Sequence, residues 1–325
     1  MMLRNHAAIV EPEAWTPAWA TLRARIDGLV TVAAKEAAFA IGVSERDLLK
    51  QLWLHLPRFS PSEIDEPRCI REEARRLAER LLRLRAPFAH WESQPDRASP
   101  IVMCHSSSGL RNGAGLKLAG QKAGATVRTL HFATCADEVA RVIHERFHYI
   151  GSFRRGHHLG LFPSEGATIP LAMLTLSPMD IRNLDSIYPT ADDRSRVLVL
   201  SRLFAFDRAP RNSISYLMGQ AFRWIHAELP EIDMLLTYLN PNLGFTGAAY
   251  QASNWSAFVD VPTRYAYLAG NYITYRTLLS LPAARRRAVR YSQYELEPLK
   301  ILRYGLARRL HPDGAAAKRE LPAYY

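Results

Sequence analysis

Two histidines stand four residues apart in the pattern HExxH, a spacing known from metal-dependent hydrolysis. His144 and His148 occupy the ends of this pattern, which puts both rings on one face of a helix where they can bind a divalent ion. No third ligand follows at a metzincin spacing, and His157 and His158 are the nearest candidates. Because so short a pattern has many chance matches, we predict no bound metal, and a zinc hydrolase stays the alternative.

Basic residues form two further groups whose chemistry suits a polyanion. The predicted helix over 67–86 carries arginines along its length, and residues 285–309 interleave arginines with tyrosines, which suits phosphate contacts and base stacking. The alternatives are a solvated helix face with pairs such as Glu72 and Arg76, and a tail with scattered charge. We predict nucleic-acid contacts by Arg76, Arg80, Arg285, Arg286, Arg287 and Arg290.

The composition narrows the choice of binding partners and of cellular compartment. The chain has 325 residues, a formal net charge of +11 and a sequence pI near 9.8, so nucleic acid is the first candidate partner and an anionic cofactor the next. No apolar run is long enough to span a membrane, and the first residues lack the apolar core of a signal peptide. We therefore predict a cytoplasmic protein with no membrane partner. Cys69, Cys104 and Cys135 are too scattered to favour a disulfide framework or a zinc site.

The chain that must position these residues changes character along its length. We predict an arginine-rich helical N-terminal domain over 1–95, a Gly/Ser-rich linker over 96–124, a mixed α/β domain over 125–280 and a basic tail over 281–325. In the third part, apolar periodicity predicts the order β-α-β-β-β-α-β-α-β, which mixes antiparallel hairpins with βαβ connections. The predicted elements are strands over 127–132, 159–162, 169–176, 196–206 and 233–239, helices over 137–149, 213–228 and 246–253, and a strand pair over 255–275.

This order of elements is that of GNAT acyltransferases, and one segment resembles a signature of their fold. In GNAT enzymes an asparagine precedes a short helix with an Ala-Leu-Tyr-like triplet, and a glycine-aromatic step enters the next strand. Here Asn240 and Asn242 precede Ala248-Ala249-Tyr250, and Asn254-Trp255 stands in the place of that step. The implied fold class is α/β (α+β), a GNAT-like mixed sheet flanked by helices and preceded by a helical N-terminal domain.

A narrower resemblance, over residues 200–260, is to the Mom family of phage and bacterial proteins. Its matching pieces are Leu200-Ser201-Arg202, the block Pro-Arg-Asn-Ser-x-Ser at 210–215 and the block Tyr-Gln-Ala-x-Asn-Trp at 250–255. A weaker resemblance covers 127–276 and does not reach the residues before 125. The Mom resemblance implies modification of adenine in DNA by a small methylcarbamoyl group, and it makes the strand 197–206 the central one, facing donor and acceptor.

The resemblance implies transfer to an amine, which passes through a tetrahedral intermediate and needs an oxyanion stabiliser and a proton donor. Backbone N–H groups between splayed central strands can be the stabiliser. Tyr250 is the predicted proton donor, with packing against the sheet as the alternative. Asn240 and Asn242 either orient the acceptor or cap the turn that follows. Ser201, counted among the catalytic residues, and Arg202 border the site, where Arg202 either contacts an anion or faces solvent.

Further substrate contacts are predicted on the flanking elements. The helix over 137–149 would lie on the acceptor side of such a fold, so we predict that His148 and Tyr149 line the substrate site. Gln251, Asn254 and Trp255 belong to the third Mom-like block and are predicted to bind substrate as well.

The loop before the helix over 213–228 departs from ordinary acetyltransferases. Those enzymes bind the CoA pyrophosphate through a glycine-rich loop at a helix N-terminus. Here the loop has no glycine, so side chains would have to bind a donor phosphate: Arg208, Arg211, Asn212, Ser213 and Ser215. The sequence fixes no single cofactor, and an aminoacyl-tRNA or an acyl-CoA can serve as the donor.

Three functions fit these residues. The first is a Mom-like GNAT-fold transferase that adds a small acyl or aminoacyl-type group to an amine on a nucleic-acid base, with DNA or tRNA as partner. The second is an N-acyltransferase that uses aminoacyl-tRNA or a thioester to acylate a small-molecule amine. The third is a non-catalytic regulator that binds nucleic acid. We predict the first, and therefore an enzyme of the acyltransferase class.

Overall fold

Helices precede a mixed β-sheet in the computed structural model of the chain, which describes residues 18–92, 126–179 and 195–306. The N-terminal helices are α1 (Trp19–Ile41), α2 (Glu45–His55), α3 (Pro61–Ile64), α4 (Pro67–Arg85) and α5 (Ala89–Glu92). The predicted linker over 96–124 lies outside the described residues, and the division into domains stays a prediction. Within the described ranges, no helix is both long and apolar enough to cross a membrane.

Local signals explain where the first helices begin and end. Helix α1 buries an apolar stripe that recurs at three- and four-residue spacing, and it ends at Gly42, whose φ of 82° is left-handed. Helix α2 begins with the predicted cap, because the side chain of Ser44 accepts a hydrogen bond from the N–H of Asp47. The stripe packs into a core that also takes Tyr265, Tyr267 and Tyr294 from the C-terminal part of the chain.

The second half of the chain supplies the strands. In chain order, the helices and strands of this part begin with β1 (His131–Thr134), α6 (Asp137–Val142), β2 (His157–Phe162), β3 (Ala172–Pro178), β4 (Val197–Ala205), α7 (Ser213–Glu228), β5 (Met234–Leu239), α8 (Ala248–Gln251) and β6 (Ser256–Val261). They continue with β7 (Ala266–Leu268), β8 (Asn271–Ile273), α9 (Tyr275–Ser280), α10 (Ala283–Arg286), β9 (Arg290–Tyr291) and β10 (Leu299–Gly305).

The strands form a seven-stranded sheet and a small three-stranded one. The large sheet has the order β1-β2-β3-β4-β5-β10-β6, and the small one has the order β8-β7-β9. In the large sheet β4 and β5 are parallel, and every other neighbouring pair is antiparallel. This arrangement confirms the predicted GNAT-like mixed sheet, flanked by helices and preceded by a helical N-terminal region.

Both faces of the large sheet are covered. Leu217 of α7 and Leu174 of β3 share one buried cluster, while Met173 of β3 and Phe147 belong to a cluster on the other side. Alternate residues of a strand point to opposite faces, so neighbouring residues of β3 supply both clusters. The central strands therefore have little freedom to move relative to the helices that cover them.

Two sequence assignments need correction. Residues 299–305, assigned to a basic tail, form β10 between β5 and β6 in the large sheet. The strand pair over 255–275 is instead divided between the two sheets, since β6 joins the large one and β7 and β8 the small one. The pairing of β10 with β6 shifts register between Ile301 and Leu302, where Phe258 of β6 is the extra residue of a bulge. Ile301 and Leu302 are both buried, in two different clusters, so β10 lacks the alternation of a half-exposed strand.

The predicted helix over 137–149 is shorter than expected. Helix α6 ends at Val142, and the chain continues as a π-helical turn from Ile143 to Phe147. His148 already has an extended backbone, with φ −76° and ψ 137°. The π-turn therefore separates His144 and His148, which an uninterrupted α-helix would have stacked on one face.

Gly156 provides a test of the close packing at the start of β2. Its φ is +151°, and a Cβ added there would lie 2.0 Å from the carbonyl oxygen of Leu176. We expect Gly156→Ala to lower the free energy of unfolding by about 2–4 kcal/mol in chemical denaturation. The control is Gly219→Ala in α7, where an added Cβ meets nothing within 4 Å, and where we expect a gain of up to about 1 kcal/mol. Equal denaturation midpoints for the two variants would contradict the packing described.

Candidate active site

A large cavity lies where the two parallel strands of the sheet separate. β4 and β5 pair from Val197 with Met234 as far as Leu200 with Thr237. Beyond that point β4 continues to Ala205 without a β5 partner, and a cavity of about 1660 Å³ opens between the two strands. Backbone groups of β4 that a continuous ladder would have paired therefore face this cavity. They provide the splayed-strand geometry that the sequence predicts for an oxyanion stabiliser.

Ser201 is the residue at which β4 changes course. β3 pairs with Leu200 and with Arg202 in consecutive positions, so Ser201 is the extra residue of a bulge. Its hydroxyl lies 2.8 Å from Ser177 Oγ and 3.2 Å from the carbonyl oxygen of Thr175. These contacts tie the hydroxyl to the sheet. Ser201 thus holds the bulge in place, and its catalytic role stays a prediction.

The hydroxyl of Tyr250 lies beside the point of separation. It is 3.4 Å from Oγ1 of Thr237, and this oxygen in turn donates to the carbonyl of Leu200, the last paired residue of β4. Burial raises the pKa of Tyr250 above its ordinary value, with the Thr237 contact acting in the opposite direction. The phenol is therefore protonated at neutral pH and can donate a proton into the cavity.

Arg202 places a positive charge in the cavity wall. Its guanidinium donates to the carbonyl of Ser201 at 2.7 Å and to the carbonyl and hydroxyl of Ser152, both at 3.0 Å. Burial lowers the pKa of Arg202 to about 10, so the group remains charged at neutral pH. Among the described residues no carboxylate forms an ion pair with it. A half-buried cation without a counter-charge favours an anionic ligand.

Aromatic side chains form another part of the wall. The rings of His148 and Tyr149 stack with centroids 4.6 Å apart, and Tyr149 meets Phe245 edge-on at 5.4 Å. Burial, together with Arg202, holds the pKa of His148 well below its usual value, and burial raises the pKa of Tyr272 to about 12. These groups are therefore neutral. His148 and Tyr149 both line the cavity, and their contact with substrate stays a prediction.

The charge of the described cavity lining has a single sign. Six basic side chains and no aspartate or glutamate line the cavity within the described part of the chain: Arg46, Lys50, Arg154, Arg155, Arg202 and Arg276. Arg46 and Lys50 are paired with carboxylates behind the wall, Asp207 at 2.9 Å and Asp47 at 3.3 Å. At Arg202, which forms no ion pair with a described carboxylate, the wall therefore favours an anionic group over a cationic one.

The two predicted asparagines are occupied by structural contacts. Asn242 is fully buried, donates to the carbonyl of Glu297 at 2.7 Å and accepts from its N–H at 3.0 Å. Asn240 borders the cavity, but its amide donates to the hydroxyl of Tyr265 and its carbonyl oxygen accepts from the N–H of Asn242. The alternative reading of these residues, a cap for the turn Pro241–Leu243, describes the structure better than acceptor binding.

The third Mom-like block does not reach the cavity apart from Tyr250. Gln251 and Asn254 are exposed, and Asn254 has a left-handed φ of 63° that closes the turn after α8. Trp255 is buried, with its ring 5.4 Å from Tyr250 and 5.7 Å from Tyr304. Contrary to the prediction, these three residues shape and support α8 from outside the cavity.

Residues 208–215, predicted to bind a donor phosphate, have few side-chain donors free for an anion among the described contacts. The hydroxyls of Ser213 and Ser215 donate back to the carbonyls of Pro210 and Asn212, at 2.6 and 3.1 Å. Asn212 has a left-handed φ of 67° and makes no side-chain cap. Both hydroxyls thus donate to the backbone of the loop itself.

The arginines of this loop differ from each other. Arg211 is exposed. Arg208 lies over the ring of Phe206, and its Nε and Nη2 atoms are buried without a hydrogen-bond partner among the described residues. Burial lowers the pKa of Arg208. Arg208 is therefore the member of the predicted set with unused donors.

The predicted nucleic-acid arginines divide into two groups. Arg76 pairs with Glu73 of the same helix at 2.6 Å and donates to Asn271 at 3.4 Å, and Arg80 donates to Asn271 at 2.6 Å. Both arginines therefore join α4 to the start of β8, and their contact with nucleic acid stays a prediction. The other four arginines are exposed and stand on or near α10, shortly after the cavity-lining helix α9: Arg285, Arg286, Arg287 and Arg290.

The HExxH histidines have separate partners. Nε2 of His144 lies 3.0 Å from Oγ1 of Thr175, while its Nδ1 accepts from the N–H of Arg154 at 3.3 Å. Nδ1 of His148 accepts from the N–H of Ile150 at 3.2 Å. Within the described residues, no group of three histidine, cysteine, aspartate or glutamate side chains could hold a metal ion.

Several cavity residues were not identified from the sequence. Arg46, Lys50 and Leu54 come from α2, and Tyr272 comes from the small sheet. No spacing rule connects them with β4, because α2 precedes β4 by more than a hundred residues. Thr237 could have been identified, because a threonine stands out after the three apolar residues that begin the strand Met234–Leu239.

The chain matches the sequence model of one protein family. The sequence model of the Mom protein family matches residues 129–306, which include β1 to β10. No curated protein matches the chain.

Among solved structures, yncA of Salmonella typhimurium, solved with its cofactor acetyl-CoA, covers 57% of this chain and 99% of its own at 6% identity and a TM-score of 0.35. An N-acetyltransferase from Staphylococcus aureus Mu50 covers 55% and 97% at 12% identity and a TM-score of 0.31. The aminoglycoside N(6')acetyltransferase of Legionella pneumophila covers 55% and 92% at 10% identity and a TM-score of 0.32. Each is a distant likeness.

Replacing Asn242 separates structural support from a chemical role. We expect Asn242→Ala to lower the free energy of unfolding by about 2–4 kcal/mol, because both backbone groups of Glu297 lose a buried partner. Thermal and chemical denaturation measure this loss. The matched control is Gln251→Ala, an exposed site where we expect a change within about 0.5 kcal/mol. Unchanged stability of Asn242→Ala would contradict a structural role.

Proposed function

Because the chain belongs to the Mom protein family, we propose that it transfers a small acyl or aminoacyl-type group to an amine on a nucleic-acid base. The observation that carries the proposal is the cavity at the separation of β4 and β5, where the protonated hydroxyl of Tyr250 meets a basic and aromatic wall. The resemblance noted in the sequence makes adenine in DNA the first candidate acceptor.

The geometry supports a direct transfer. The donor carbonyl would lie between the separated strands, where unpaired N–H groups of β4 stabilise the oxyanion. The acceptor nitrogen attacks the carbonyl carbon, a new C–N bond forms, and the bond to the leaving group then breaks. Tyr250 gives its proton to the leaving group and is reprotonated by the proton that the nitrogen releases. An amide and a protonated leaving group are the products.

The charges that line the cavity favour the amine of a nucleobase over an alkylamine as acceptor. An alkylamine is a cation at neutral pH, and among the described residues no carboxylate lines the cavity to bind it. The exocyclic amine of a nucleobase is neutral and needs no deprotonation before attack. The same cationic wall attracts phosphates, and the rings of Tyr149 and Phe245 can stack on a base. A small-molecule alkylamine acceptor is for these reasons the weaker candidate.

A target base inside duplex DNA would have to leave the stack to reach this cavity. Enzymes that modify bases pay a few kcal/mol for this step and recover it by stacking and hydrogen bonds in the pocket. The exposed arginines Arg285, Arg287 and Arg290 would contact the backbone near the mouth, since α9 forms part of the cavity lining. The donor would be an acyl-CoA or an aminoacyl-tRNA.

The proposed chemistry is tested by mass spectrometry of nucleosides from DNA and tRNA of cells with and without the protein. We expect an adenine nucleoside of increased mass that depends on expression. Tyr250→Phe should lower its rate of formation by about 10²- to 10⁴-fold, because the proton donor is removed while the ring is kept. Tyr216→Phe on α7, outside the cavity, is the control. Unmodified DNA and tRNA, or full activity of Tyr250→Phe, would refute the corresponding part of the proposal.

The anion site at Arg202 is tested separately. We expect Arg202→Met to weaken binding of a DNA oligonucleotide about tenfold to a hundredfold and to reduce the slope of log K against log salt by about one. The exposed Arg223 of α7 is a matched arginine outside the cavity, and Arg223→Met should change neither quantity appreciably. Equal affinities and salt slopes for the two variants would argue against a phosphate at Arg202.

A further inference from the structure

The N-terminal helices reach into the cavity although the family match begins only at residue 129. Helix α2 contributes Arg46, Lys50 and Leu54 to the lining. These residues are spaced four apart and share one face of the helix, and Arg46 donates to the carbonyl of Ala205 at the end of β4 at 2.9 Å. The cavity is thus completed by a part of the chain that the family model does not cover.

Two side chains of α2 hold the aromatic wall through its backbone. Nε2 of Gln51 donates to the carbonyl of Tyr149 at 2.9 Å, and Nε2 of His55 accepts from the N–H of Tyr272 at 3.2 Å. Gln51 and His55 are four residues apart, so they lie on the same face of the helix. One helix face therefore fixes two cavity residues that come from different parts of the fold.

The tautomer of His55 is set by the helix itself. Nδ1 of His55 lies 2.8 Å from the carbonyl oxygen of Gln51, so Nδ1 carries the proton and Nε2 is free to accept from Tyr272. His55 is 1% exposed, and burial lowers its pKa to about 3. The ring is therefore a neutral, oriented acceptor rather than a titrating group at neutral pH.

Helix α2 is rigid enough to act as such a support. Buried Arg85 of α4 donates to Asp47 of α2 at 2.8 Å and to the carbonyl of Phe147 at 3.1 Å. Burial alone would raise the pKa of Asp47, but Arg85 and Lys50 overcome it and hold the pKa below the usual range. The hydroxyl of Tyr267 adds a bond to the carbonyl of Leu54 at 2.9 Å. A paired, desolvated charge of this kind fixes the position of α2 relative to residues 146–149.

We infer that α2 is part of the substrate site, with Gln51 and His55 as positioning residues that set Tyr149 and Tyr272 where an acceptor base stacks. The acceptor role of this wall rests on the proposed function. The support of the wall by α2 does not, because it follows from the contacts alone. The N-terminal helices are on this view a specificity element built into the enzyme.

The positions of the two rings can be measured without activity by ¹⁹F NMR of protein labelled with 3-fluorotyrosine, with Tyr149→Phe and Tyr272→Phe identifying the resonances. We expect His55→Leu to move the Tyr272 resonance and Gln51→Met to move that of Tyr149. His55→Gln, whose amide can replace the Nε2 acceptor, should restore the wild-type spectrum. Glu45→Gln, on the same helix and outside the cavity, should leave both resonances in place. If His55→Leu and Gln51→Met also leave them in place, α2 does not position the wall.

Two further measurements test what the wall does. Adenosine 5′-monophosphate should shift the Tyr149 and Tyr272 resonances of the wild-type protein, and a shift confined to other tyrosines would overturn the base-stacking role. In the nucleoside assay, we expect His55→Leu to lower kcat at saturating DNA about tenfold to a hundredfold, with His55→Gln near wild type. An unchanged kcat in a folded His55→Leu protein would contradict positioning. Absence of any modified nucleoside with wild-type protein would instead refute the proposed function and leave the ¹⁹F result standing.

Discussion

The separation of β4 from β5 after Leu200 and Thr237 is the constraint on which the site depends. Parallel strands remain paired while their registers agree, and the bulge at Ser201 removes that agreement by inserting one residue against β3. The hydroxyl of Thr237 satisfies the carbonyl of Leu200 at the edge of the gap, which would otherwise be an unpaired group beside the cavity. Tyr250 then closes the end of the gap from α8. One irregularity in the sheet thus creates the space, the unpaired backbone groups and the place for the phenol.

Burying an unpaired cation in the cavity wall makes folding less favourable, and an anionic ligand would recover this cost. Arg202 is half-buried in the cavity wall, and no described carboxylate forms an ion pair with it. Desolvating a cation in this way costs free energy that hydrophobic packing elsewhere must offset. The neighbouring phenols do not compensate the charge, because burial raises the pKa of Tyr149 and Tyr272 and keeps both neutral. An anionic ligand supplies the missing charge, and a strained site of this kind is typical of function.

Much of the fold could be predicted from the sequence, because the helices and strands of the large sheet have strong local patterns. Helix α7 has the predicted bounds, and β4 and β5 agree with theirs to within one residue. Features that depend on register could not be predicted, since the bulges at Ser201 and at Phe258 arise from pairing between distant strands. The same limit applies to side-chain roles. The asparagine type suits a cap and a binding site equally, and only the position of Glu297 shows that Asn242 is a structural residue.

The cavity is therefore best understood as the product of long-range contacts that converge on a locally encoded sheet. Residues 146–149 illustrate this, because the π-turn that ends at Phe147 releases His148 into an extended conformation and turns Tyr149 toward the gap. A free loop in this place would sample many conformations, and ordering it on ligand binding would cost conformational entropy. Arg85 and Gln51 remove that freedom in advance by binding the carbonyls of Phe147 and Tyr149 from two N-terminal helices. The entropy of ordering the wall is thus borne by folding, and binding energy remains available for the transition state.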